Sequence, residues 1–143
     1  MKRIICIILV IVICIVISIA YAYSGYKKEY NEVQNFNSNF SQYIDKEFYG
    51  NELATIINRA IDNNEKNKIS KDSNGRYIED EMYSVKVDIY ITDNETTYSM
   101  ETINLGGISN FVSYYSDVKF KCTKVEYHKK TNRISYLYIE QIS

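Results

Sequence analysis

The sequence predicts an α+β protein: an N-terminal transmembrane helix, then amphipathic helical segments, then an antiparallel sheet of about four strands. Three observations predict it. Residues 4–23 are almost uninterruptedly apolar. Between residues 30 and 61, apolar side chains recur at spacings of three and four, the period of a helix with one buried face. From residue 84 onward, apolar and polar residues alternate between turn-forming clusters, as in strands with one face buried.

The opening run reads IICIILVIVICIVISIA, with Ser18 its one polar side chain. With Tyr21, Ala22 and Tyr23 it spans about 20 residues, or about 30 Å of helix, the thickness of a bilayer's hydrocarbon core. No soluble core helix needs so many β-branched residues with no polar face. Tyr21, Tyr23 and Tyr26 fall where an aromatic belt meets the headgroups. Lys2 and Arg3 precede the run, and Lys27 and Lys28 follow it. A short basic N-terminus ordinarily stays inside, so the expected orientation is N-terminus cytoplasmic and C-terminal part extracytoplasmic. The organisation expected is a transmembrane signal-anchor over residues 1–25 and an extracytoplasmic domain over 26–143. Ala20-Tyr21-Ala22 also has the small-x-small form of a signal-peptidase site, and cleavage after Ala22 would give a secreted protein. The apolar run exceeds the ~7–15 residues of a signal-peptide core, which favours a retained anchor.

Past the anchor, Tyr30, Val33, Phe36, Phe40, Tyr43 and Ile44 form a helical stripe that Gly50 closes, with Gly25 a possible kink at the join. Asn51 is placed to cap a second helix whose stripe is Leu53, Ile56, Ile57, Ala60 and Ile61. That helix is expected to dissolve in the polar residues 62–68, and Asp72-Ser73-Asn74-Gly75 reads as a turn. Residues 84–92 read as a strand with Val85, Val87, Ile89 and Ile91 on one face. Asp93-Asn94-Glu95 is a turn, and 96–105 is expected to return antiparallel until Gly106-Gly107 breaks it. Residues 108–115 fit a short helix or a loop packing Phe111 and Tyr115 inward. Val118, Phe120 and Cys122 open a further strand through Val125 and Tyr127. Residues 129–132 turn it back into a last strand over 134–142.

The chain has 143 residues, enough for one anchor and one domain. All 18 acidic residues but only 15 of the 17 basic ones lie beyond residue 22, so that part carries a net charge of −3. The balance gives no nucleic-acid footprint, and no nucleic-acid partner is expected. Proline is absent and tyrosine occurs 15 times. An AT-rich genome accounts for this composition, with a Tyr-rich adhesive surface as the competing reading. Cys6 and Cys14 sit in the apolar run, and Cys122 stands alone beyond it, so no disulfide can form within the domain. A free buried thiol in a strand is the reading adopted for Cys122, with an intermolecular bridge as the alternative.

No arrangement of residues compels a chemistry, and no catalytic, cofactor-binding or metal-binding residue is assigned. His128, the one histidine, reads as exposed at a strand end. Its six-residue separation from Cys122 is roughly 20 Å along a strand, too far for a thiol–imidazole pair. Asp72, Asn74 and Gly75 superficially match a calcium loop, but Gly75 falls at the fourth position rather than the sixth. Glu79, Asp80 and Glu81 form an acidic run able at most to gather a weak cation. Asp88, Glu101 and Glu126 read as outward, solubilising charges on strands, with paired-carboxylate chemistry the competing reading. Lys119, Lys121, Lys124, Lys129, Lys130 and Arg133 gather on the final hairpin. They read as a solvated face with nearby acids, or as a basic stripe for an anionic polymer or lipid headgroups.

An apolar N-terminal helix that becomes amphipathic and leads into a compact sheet resembles type IV pilins and pseudopilins in architecture. Pilins carry a Gly before the apolar stretch and a Glu just within it. Lys2 and Arg3 here run straight into Ile4, so no pilin functional residue carries over. Segments such as Phe36-Asn37-Ser38-Asn39-Phe40 and Gly50-Asn51-Glu52-Leu53 resemble uncharacterised single-span envelope proteins of low-GC Gram-positive bacteria, a likeness that implies location. The expectation is a membrane-anchored, non-enzymatic binding or assembly module. Its partners would be the bilayer through residues 4–23 and an envelope protein or a second copy. A pilin-like subunit and a secreted envelope enzyme are the alternatives.

Overall fold

The computed structural model describes residues 2–142 and has two compact units, dividing after Asn35. The first unit is helical. Helix α1, Lys2–Ser41, is continuous through Gly25. One glycine in an exposed helix costs about 1 kcal/mol without breaking it, and nothing crowds this one. The N-terminal part of α1 is long and apolar enough to cross a membrane, and none of that span is buried.

The second unit takes the last turns of α1, then β1 (Glu47–Tyr49), α2 (Leu53–Lys66), β2 (Lys86–Ile91) and β3 (Thr96–Ser99). It continues with α3 (Met100–Gly106), α4 (Ile108–Tyr115), β4 (Lys119–Tyr127) and β5 (Ile134–Gln141). This is the α+β class read from the sequence, with two refinements. The sheet has five strands, in the order β1-β4-β5-β2-β3. The pairing of β2 with the central strand β5 is parallel, while the other three are antiparallel. The extra strand is β1. Phe48 continues the four-residue spacing of Phe40 and Ile44, so a helical pattern swallows it. In fact α1 stops at Ser41, and Asp45 takes a left-handed φ of 58° that reverses the chain. The parallel pairing follows from α3 and α4, which carry the chain away from the β2–β3 hairpin before β4 and β5 return.

Alternation in β2 holds as read. Val85, Val87, Ile89 and Ile91 are buried, and Lys86, Asp88 and Tyr90 lie half-exposed on the other face. Against the inner face packs the stripe of α2, where Leu53, Ile56, Ile57 and Ala60 are fully buried, joined by Phe40, Phe120 and Ile139. Asn51 does not cap α2. It sits inside a single 3-10 turn, Gly50–Glu52, that leads into the helix. That turn requires glycine at its start, because a Cβ on Gly50 would stand 2.0 Å from the Tyr115 carbonyl oxygen.

Two segments differ from the sequence reading. Residues 62–66 are helical, not a polar tail, and Asn63 and Asn64 are buried. The strand expected over 96–105 stops at Ser99. Ser99 holds an extended φ/ψ and its Oγ accepts the N–H of Thr102 at 3.3 Å, capping α3. Met100 and Ile103, three apart, then turn inward. Gly107, at φ 91°, separates α3 from α4. Of the two readings for 108–115 the helix is realised, with the Phe111 and Tyr115 rings 4.9 Å apart.

Candidate functional site

His128 is buried at 6% exposure, not exposed as its strand-end position suggested. Its Nε2 lies 2.7 Å from the Ser84 carbonyl. A carbonyl only accepts, so the ring donates there and Nε2 carries the proton. The rest of the hairpin tip binds the same loop. Lys130 pairs with Glu81, and the Thr131 hydroxyl donates to the Met82 carbonyl at 3.0 Å. Asp80 organises that loop, its Oδ1 accepting the N–H groups of Met82, Tyr83 and Ser84 at 3.1, 2.7 and 2.7 Å. Burial pushes the Asp80 carboxyl up, and these donors more than offset it, holding it below the usual carboxylate range. Glu79 pairs with Lys86 at 3.4 Å. The acidic run of residues 79–81 is therefore committed to local partners.

Cys122 lies on β4 at the core face, and burial pushes its thiol up to about 11. A thiol so protonated is a poor nucleophile at neutral pH. His128 follows the far end of the same strand, so the two are not brought together. Asp72 turns its carboxylate onto its own turn, accepting from the N–H groups of Asn74 and Arg76 at 2.8 and 2.9 Å. Among the described residues, no three His, Cys, Asp or Glu side chains are gathered as a metal site.

Of the three carboxylates, Glu126 stands apart from the other two. Asp88 faces outward from β2 and accepts the Tyr136 hydroxyl at 3.0 Å. Burial pushes that hydroxyl well above the usual tyrosine value, and the Asp88 carboxylate adds to it. Glu101 stands in the first turn of α3, not on a strand, and is 9% exposed. Its Oε1 accepts the Tyr77 N–H at 3.2 Å. Asp88 and Glu101 line one cleft of about 420 Å³ with Arg76, Glu79 and Lys86. Glu126 pairs with Lys124 at 2.6 Å and lines a second cleft of about 550 Å³, beside His128. The sequence reading missed the first cleft because it placed Glu101 on a strand. The signal was the Ser99-x-x-Thr102 cap.

The basic stripe is likewise distributed. Lys119 pairs with Glu47 at 3.1 Å, and Lys121 stands in register between Glu47 and Glu140. Arg133 leaves the stripe to lie 3.8 Å over the Phe36 ring, donating to Asn63 Oδ1 at 2.9 Å. What remains is an outer sheet face of alternating sign, carrying the row Lys124, Tyr138, Asp88, Ser99 beside Glu126, Tyr136, Lys86.

No family model, curated protein or solved structure matches this chain. The functional reading therefore rests on its own geometry.

Proposed function

We propose that the chain is a membrane-anchored, extracytoplasmic binding or assembly module. In this reading residues 4–23 cross the bilayer with Lys2 and Arg3 on the cytoplasmic side. The unit from Phe36 onward works outside, and the mixed-charge, Tyr-bearing sheet face meets an envelope partner.

One observation carries this reading: the opening stretch of α1 leaves its large apolar side chains, from Ile4 to Ile19, about half-exposed or more. Leaving each in water rather than in hydrocarbon costs about 1.5–3 kcal/mol, so the stretch as a whole is driven strongly into a bilayer. Hydrocarbon removes the cost, and a helix satisfies its own backbone there. The outer sheet face supports the binding role, since its Tyr rings and paired charges supply both contact area and orientation.

Protease shaving of intact cells, with mass measurement of the mature protein, tests it. Released peptides from residue 51 onward together with an intact head are expected. A mature start at Tyr23 replaces the anchor by a cleaved signal. Full-length protein dissolved in the cytosol refutes the reading altogether.

A further inference from the structure

From residue 23 to residue 34 the apolar side chains are Tyr23, Tyr26, Tyr30 and Val33, and every other position is polar or glycine. Their spacings are three, four and three, the a/d seam of a heptad. All four lie on one continuous helix. Tyr23, Tyr26 and Tyr30 are 65%, 68% and 53% exposed, and the Tyr26 and Tyr30 rings stack along the seam at 6.5 Å between centroids.

An interfacial belt does not account for the whole stripe. With the apolar run ending at Tyr23, Tyr30 and Val33 stand about 10 and 15 Å further along the helix. The headgroup region is only about 5–8 Å deep. Tyr21, equally close to the membrane boundary, lies off the seam. The seam continues into the apolar run in the same register, through Ile19, Val16, Val12, Leu9 and Ile5. Every position there but Ser18 is apolar, so the register inside the bilayer is permitted rather than specified.

We infer that residues 23–33 pair in parallel with the same segment of a second copy of this chain, in a short left-handed coil contiguous with the membrane span. This inference rests on the anchor proposed above. The anchor fixes the parallel orientation and confines copies to one plane, which raises the effective concentration for a seam too short to associate from solution. Over eleven residues the stripe stays on one face of the helix, and a second helix bearing the same stripe covers it knob into hole. The flanking positions suit a parallel partner. Glu29 at a g position faces Gln34 at the following e position of the other copy, and Ala22 faces Lys27, so no like charges oppose.

Single-cysteine crosslinking of the full chain in native membranes tests it, with Cys6→Ser and Cys14→Ser as background and Cys122 left in the core. Cysteine is placed in turn at Tyr23, Tyr26, Tyr30 and Val33, and at Ser24, Lys28 and Asn31 off the seam. Oxidation is expected to give a dimer of twice the chain mass, about fivefold more at the seam positions than at the others. A flat profile, or a maximum off the seam, overturns the pairing. Seam-specific adducts of another mass overturn it too, in favour of a different helical partner. Alkaline extraction of the same membranes separates the two readings. Chain retained in the pellet with a flat profile refutes the pairing alone, and chain released to the supernatant refutes the anchor and the pairing with it.

Discussion

Asn64 shows how a residue's chemistry is redirected by what surrounds it. It is fully buried, and its side-chain amide makes both hydrogen bonds of a strand neighbour. Nδ2 donates to the Val85 carbonyl at 2.8 Å, and Oδ1 accepts the Val85 N–H at 2.8 Å. Asn63 beside it donates to the Tyr83 carbonyl at 2.6 Å. The two asparagines thus satisfy the backbone that leads into β2, which is buried on its way to the sheet. Asn64→Ala leaves a buried donor and a buried acceptor without partners. Its expected cost is about 3 kcal/mol, read as a lower urea midpoint for the full chain in detergent. An unchanged midpoint would show that water takes over both bonds. In the sequence these asparagines look like the frayed end of a helix, because asparagine is a frequent helix-ending residue and its buried partner lies 21 positions away.

At the scale of elements, the loop of residues 80–84 is held from three sides. Asp80 binds its backbone from within, the hairpin tip reaches it through His128 and Thr131, and Asn63 holds it from α2. The Asp80 carboxyl lies below its ordinary range in the folded chain. Its stabilisation is therefore fully present above the unfolded value of about 3.9 and is lost as pH falls through the lower folded value. Asp80→Asn keeps the shape and loses the charge. It is expected to cost about 1 kcal/mol at pH 7, a gap that closes as pH is lowered from 5 towards 3. Denaturant midpoints of both chains across that range check it, and a gap that stays constant or widens in acid contradicts the assignment. The four-residue spacing that hid β1 and the alternation that overran β3 into α3 belong to this scale as well. Both elements are short, and their ends are set by a left-handed Asp45 and a Ser99 cap that periodicity does not register.

For the molecule as a whole, the last turns of α1 belong to the folded unit. Phe40 is fully buried, and Tyr43 meets Phe48 edge-on at 5.2 Å. A chain beginning at Phe36 keeps these residues. It is expected to unfold cooperatively on heating without detergent. A chain beginning at Asp45 loses them, at about 3–5 kcal/mol for the phenylalanine alone, most of the reserve of a small domain. It is expected to show no cooperative transition by circular dichroism. Equal transitions for the two would mean that the core closes without α1.

Taken alone, the sequence determined the apolar span, the stripe of α2, the strands β2, β4 and β5, and so the α+β class. Each of these is a local periodic signal, created by one face meeting hydrocarbon or core and the other meeting water. Only the tertiary structure decided that β2 and β5 run parallel, that His128 and Glu101 are buried, and that Asp88 and Glu101 share a cleft that Glu126 does not enter. Those facts depend on pairings between residues far apart in the chain. A side chain's polarity states that it needs a partner, and the fold alone settles which group that partner is.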